Sequence, residues 1–127
     1  MTNETKRRAE PSAALPLGPV DLQILLVLSD GDVHGYGLMK AVEEQSGGKV
    51  RLEVGSLYRV IKRMLTGDLI EESAAEPGLG ASGRGPKPRR FYKISDFGRA
   101  VAAAEVKRLA EVVETARVQA LIDGEKA

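Results

Sequence analysis

Ser56, Arg59, Lys62 and Arg63 have the types and the spacing to grip a polyanion. Arginine can direct two donors at guanine O6 and N7, whereas lysine and serine more often hold phosphate oxygens. Around them Val54, Leu57, Tyr58, Ile61 and Leu65 recur at helical spacing, which predicts a helix over residues 54–65 with that apolar set against a core. The four polar residues fall mostly on the other face, and no carboxylate lies within the stretch. Arg59 is the expected base reader, and Lys62 and Arg63 are as suited to holding backbone. An ordinary amphipathic helix with a solvated basic face has the same pattern, and the helix alone does not separate the two.

A second basic set follows. Arg84, Lys87, Arg89 and Arg90, with Lys93, surround a segment, residues 77–88, that contains four glycines and three prolines. Such a composition forbids regular structure and reads as the loop of a hairpin between strands at residues 69–72 and 89–94. No carboxylate lies between Glu76 and Asp96. A cationic loop of this kind can follow phosphates or enter a minor groove, with affinity that falls steeply with salt. Its bland counterpart is a loop that only aids solubility.

The net charge of +1 conceals this pattern. Residues 49–93 carry a balance of +5, between a −3 segment before them and a −1 segment after them. Distribution, rather than the total, bears on a nucleic-acid partner. Catalysis finds no foothold. There is no cysteine, the single histidine, His34, has no second histidine for a relay, and the loop glycines do not lead into a helix as a nucleotide loop would. No metal or cofactor is expected. His34 is expected to cap or turn the chain, with a phosphate contact as the alternative; the Tyr58 hydroxyl could likewise meet a phosphate in place of packing inward. Phe91 and Tyr92 alternate along a strand and read as structural. No apolar run approaches a membrane span, and Lys6, Arg7 and Arg8 precede no apolar block, so a cytoplasmic protein without a membrane partner is expected.

The elements that must position these residues can be read in order. Residues 1–17 are polar, contain Pro11 and Pro16, and are expected to be a flexible arm. Pro19 suits the first turn of a helix whose Leu22 and Ile24–Leu28 leave almost no polar face, so burial on most sides, partly by another subunit, is expected. A second helix is predicted over about 35–46, with Tyr36, Leu38, Met39 and Val42 inward and a stop at Gly47-Gly48. Gly67 is the expected stop of the helix over 54–65. Ser95 is a good N-cap for a long last helix to about residue 122, which Gly98 weakens by about 1 kcal/mol relative to alanine. Within it Ala102, Val106, Leu109, Val113, Ala116 and Ala120 repeat at 4-3-4-3-4, close to a coiled-coil seam.

Helix, helix, helix, strand, loop, strand, helix is the order of a winged helix-turn-helix. The chain resembles the PadR family of transcriptional regulators in its shorter branch with a single C-terminal helix. The resemblance rests on Ile24–Leu28 with residues 30–36, on Gly55-Ser56-Leu57-Tyr58 and Lys62-Arg63, on Leu69-Ile70-Glu71, and on residues 85–99. Together these cover roughly residues 20–100. Gly37, Ser56, Arg59 and Asp68 depart from the residues usual in the family at those places. The expected fold is therefore mainly α with a small β-hairpin: a winged helix-turn-helix over 18–94 and a dimerisation helix over 95–123. The seam residues and Leu25 would form the homodimer interface. The resemblance implies a repressor acting on a palindromic double-stranded DNA operator, released by an unidentified small-molecule effector. A winged-helix protein-interaction module and a nonspecific architectural DNA binder are the alternatives.

Overall fold

The computed structural model describes residues 10–73 and 90–119. Within these, α1 (Pro19–Leu28), β1 (Val33–His34), α2 (Gly35–Gln45), α3 (Val54–Thr66), β2 (Ile70–Ser73), β3 (Phe91–Ile94) and α4 (Asp96–Val118) follow one another. The three strands form an antiparallel sheet in the order β1-β3-β2. The expected hairpin is thus extended by a third strand, whose Val33 and His34 stand opposite Tyr92 and Phe91. Two residues are too few for an alternating pattern to show in the sequence.

Ile24, Leu25 and Leu28 of α1, Leu38 and Val42 of α2, Leu57, Ile61 and Met64 of α3, and Ile70 and Val101 from the sheet and α4 form a single core. Leu25 is completely buried within this core. It has no surface to give a second subunit, which corrects its expected place in a dimer interface.

Both helices of the helix-turn-helix end in the same way. After α2 the Gly48 N–H donates to Glu43 O (2.8 Å) and the Gly47 N–H to Glu44 O (3.1 Å), with Gly47 at φ +67°. After α3 the Leu69 N–H donates to Met64 O and the Asp68 N–H to Leu65 O, both at 3.0 Å. Here the left-handed residue is Asp68 (φ 62°), and Gly67, the expected stop, is an ordinary C-cap. Short polar residues tolerate this conformation better than other side chains do, which fits an aspartate here.

Ser95 caps α4 as expected: its Oγ accepts from the Gly98 N–H (2.8 Å) and donates toward Asp68 O (2.6 Å) and Leu69 O (3.0 Å). Gly98 meets a close approach. A methyl there would fall inside the van der Waals envelope of the Leu69 carbonyl oxygen and lie 3.0 Å from Ile94 Cγ1. Ala102 and Glu105 on the next turns are buried, whereas Val106, Val112, Val113 and Val118 stand exposed as the helix leaves the body.

Residues 10–17 do not form part of a flexible arm. A 3-10 turn, Pro11–Ala14, packs against α4, and Ala14, Leu15 and Leu17 lie on the core. The Leu17 N–H donates to Glu105 Oε2 (3.0 Å), and Arg108 Nε and Nη2 donate to the two oxygens of the same carboxylate at 2.6 and 2.9 Å. Glu105 is 1 % exposed. A buried carboxylate satisfied by three donors is what allows the strap to close over the helix. The trio Lys6, Arg7 and Arg8 lies outside the described residues.

Candidate nucleic-acid interface

Helix α3 has its core side on Leu57, Ile61 and Met64. Met64 takes the place expected for Leu65, which is only half-buried, and the apolar stripe is rotated by one position. Val54 and Tyr58, expected in the core, are 53 % and 47 % exposed. Tyr36, expected to face inward from α2, is 66 % exposed. The physical reason is the same in each case. A helix of about 3.6 residues per turn cannot bury a strip wider than the neighbours that cover it, and here that strip holds about one residue per turn.

Opposite the core Arg59 and Lys62 are exposed, and Arg59 Nη2 donates to Ser56 Oγ (3.3 Å) one turn earlier. Arg63 has a different situation. Its Nη2 donates to both carboxylate oxygens of Asp21, at 2.6 and 2.8 Å, and that carboxylate is only 13 % exposed. The pair ties α3 to the first turn of α1 and offsets the Arg63 charge. The partner lies 42 residues away in sequence, so no local pattern could reveal it.

On the other flank the Tyr58 hydroxyl sits over Gly35, where a Cβ would come within 2.7 Å of it. His34 precedes that glycine and caps α2, its Nδ1 accepting from the Gly37 N–H (3.0 Å), as expected of a capping residue. The His34 ring meets Phe91 edge-on, with centroids 5.5 Å apart. Tyr92 beside it is buried. Burial pushes its hydroxyl pKa up, and the neighbouring Glu72 and Tyr58 add to the rise against the pull of Arg90, so the phenol stays protonated.

The described part of the strand pair bears charge on both strands. Arg90 Nη1 donates to Glu72 Oε2 (2.9 Å), and Lys93 Nζ lies 3.8 Å from Glu71 Oε1. Arg84, Lys87 and Arg89 lie outside the described residues. Of the expected seam on α4, Val106 and Val113 are exposed, Leu109 and Ala116 half-buried, and Ala102 buried in the chain's own core; Ala120 lies outside the described residues. The spacing of the seam said nothing of which turns the chain itself would cover. Among the described residues no cluster of histidine, aspartate and glutamate is placed to hold a metal ion, and no helix is long and apolar enough to cross a membrane.

The profile of the transcriptional regulator PadR-like family matches residues 24–104, the span from α1 through the first turns of α4. The chain belongs to this family. Its members are transcriptional regulators rather than enzymes. Solved structures repeat the architecture. A PadR-like regulator from Bacillus cereus is 26 % identical, with a TM-score of 0.62 over 79 % of this chain and 89 % of that one. A PadR family regulator from Clostridium difficile is 21 % identical, with a TM-score of 0.65 over 79 % and 96 %. Bacillus subtilis PadR, solved in complex with operator DNA, is 18 % identical with a TM-score of 0.59, and the match covers 72 % of this chain and 47 % of that longer one. The PadR-like winged helix-turn-helix thus accounts for the order of elements and for the sheet.

Proposed function

We propose that this PadR-like regulator acts in the cytoplasm as a homodimer that reads double-stranded DNA through α3. The observation that carries the reading is the outer face of α3: Arg59 and Lys62 exposed, opposite a fully buried apolar face, on a helix without a carboxylate. Arg59, steadied by Ser56, is the base reader, and Lys62 holds phosphate. Arg63 braces the helix against Asp21 and contributes a weaker phosphate contact from the rim. Arg90, with Arg84, Lys87 and Arg89, supplies the wing's phosphate contacts. The Bacillus subtilis PadR–operator complex supports this use of the fold.

The exposed half of α4 supports the dimer. Val106 and Val113, with the half-buried Leu109 and Ala116 on the same seam, are apolar and left exposed among the described residues. Paired there, two copies would set their recognition helices about 34 Å apart, one turn of duplex, on a palindromic site. The repressor sign and release by a small-molecule effector follow from the family resemblance.

The test is selection from a random double-stranded DNA library at moderate salt, followed by sequencing. A two-fold motif with half-sites near one turn apart is expected, and Arg59→Ala should relax preference at one position by about 1–3 kcal/mol. Binding without base preference would make the protein architectural. Absence of binding would assign the basic face to an acidic protein partner.

A further inference from the structure

The first turns of α3 present a surface that charge does not explain. Val54 and Tyr58 are four residues apart and so lie one above the other, both about half exposed. They flank the cations on the side away from Asp21. Gly55 lies on the cationic face beside them, between the directions of Lys62 and Arg59, and a Cβ there would meet no atom within 4 Å, so the helix backbone is open to close approach. The Tyr58 ring is held in place, its hydroxyl lodged over Gly35 and its ring left on the surface.

A recognition helix enters the major groove with its N-terminal residues nearest the base edges. Valine has neither donor nor acceptor, so it cannot take part in the hydrogen-bond code of that groove. The one apolar feature displayed there is the C5-methyl group of thymine. From the position of Val54 and Tyr58, beside Arg59 and Lys62 on the same carboxylate-free helix, we infer that this flank of α3 reads thymine methyl groups in each operator half-site. The inference rests on the DNA-binding reading above and adds to it a base identity that the cations cannot select. Arg59 would then choose guanine, and the Val54–Tyr58 flank a thymine within about one helical turn of protein from it.

The strongest site recovered from the library is resynthesised with deoxyuridine in place of thymine, one position at a time. Uracil pairs as thymine does and lacks only the methyl. Affinity for at least one substituted position per half-site should fall about fourfold, the value of one methyl group buried against apolar surface. Val54→Ala, at an exposed position that the fold tolerates, should narrow the difference between thymine and uracil there while leaving the salt slope unchanged. Specific binding with equal affinity for thymine and uracil at every position overturns the inference and leaves the DNA-binding reading standing. A recovered half-site without thymine does the same. Loss of sequence-specific binding altogether overturns both and makes the flank a protein-docking surface.

Discussion

Replacing Gly98 by alanine sets two effects of opposite sign against each other. In a helix interior alanine is favoured over glycine by about 1 kcal/mol, so the substitution considered locally should stabilise α4. The tertiary contact opposes it. The added methyl would run into the Leu69 carbonyl oxygen and press on Ile94 Cγ1 at 3.0 Å. That carbonyl cannot yield freely, because it accepts from the Ser95 N–H at 3.1 Å and from the Ser95 hydroxyl at 3.0 Å. Overpacking of a close contact costs about 1–3 kcal/mol, and loosening two hydrogen bonds adds about 1 kcal/mol each at most. Net destabilisation of about 2 kcal/mol is expected. Urea unfolding followed by circular dichroism, at one fixed protein concentration, should show the midpoint lowered by about 1 M with an unchanged slope. A midpoint equal to or above that of the unaltered protein would refute the reasoning. It would mean that α4 moves away from the sheet at little cost.

Three other perturbations separate the roles assigned above. Lys62→Ala should reduce the salt dependence of DNA binding by about one unit of slope, and Arg63→Ala by less because Asp21 already offsets its charge; equal slopes would mean that the Arg63–Asp21 pair opens on DNA. Val113→Asp should convert the proposed dimer to a folded monomer in sedimentation, since that side chain is half exposed in the single chain; a persisting dimer would place the interface elsewhere. The Arg108 hydrogen bonds, aided by the Leu17 N–H and opposed by burial, hold the Glu105 carboxyl below the ordinary glutamate range. A carboxyl lowered in the folded state adds stability that is complete above its unfolded pKa of about 4.3 and is lost as pH falls through the lower folded value. Melting scans should therefore show acid destabilisation below about pH 4 that Glu105→Gln diminishes, and an unchanged acid response would assign it to other carboxylates.

Periodicity was legible where a helix has one covered side. The spans of α2, α3 and α4 and the cap at Ser95 follow from apolar spacing and from residues whose local chemistry is specific. What escaped depends on partners distant in sequence. Tyr36, Val54 and Tyr58 have the composition of core residues, and only the width of the neighbouring helices decides that they stay outside. Leu25 and Ala102 fit an interface pattern, yet the chain's own core already encloses them. Glu105, three residues before Arg108, resembles a surface ion pair until the strap of residues 10–17 closes over it. Arg63 likewise resembles a free cation until α1 brings Asp21 to it. Of the candidate interface, the identity of Arg59 and Lys62 as outward cations was readable, and the neutralisation of their neighbours was not.

Strand β3 joins two parts that could otherwise shift independently. Arg90 stands immediately before it, and Ser95 immediately after it caps α4. Four extended residues span about 13 Å, and β1 and β2 brace the strand on both edges. The strand therefore links the described foot of the hairpin to the cap of α4 through paired backbone, with β2 alongside all four residues and β1 alongside the first two. Beyond Leu109 α4 continues unbroken to Val118 with every side chain but that of Ala116 exposed. In the proposed dimer built on that half, each head would be held to its partner through a single helix rooted at Ser95, so the angle at which α4 leaves that cap would set the distance between the heads.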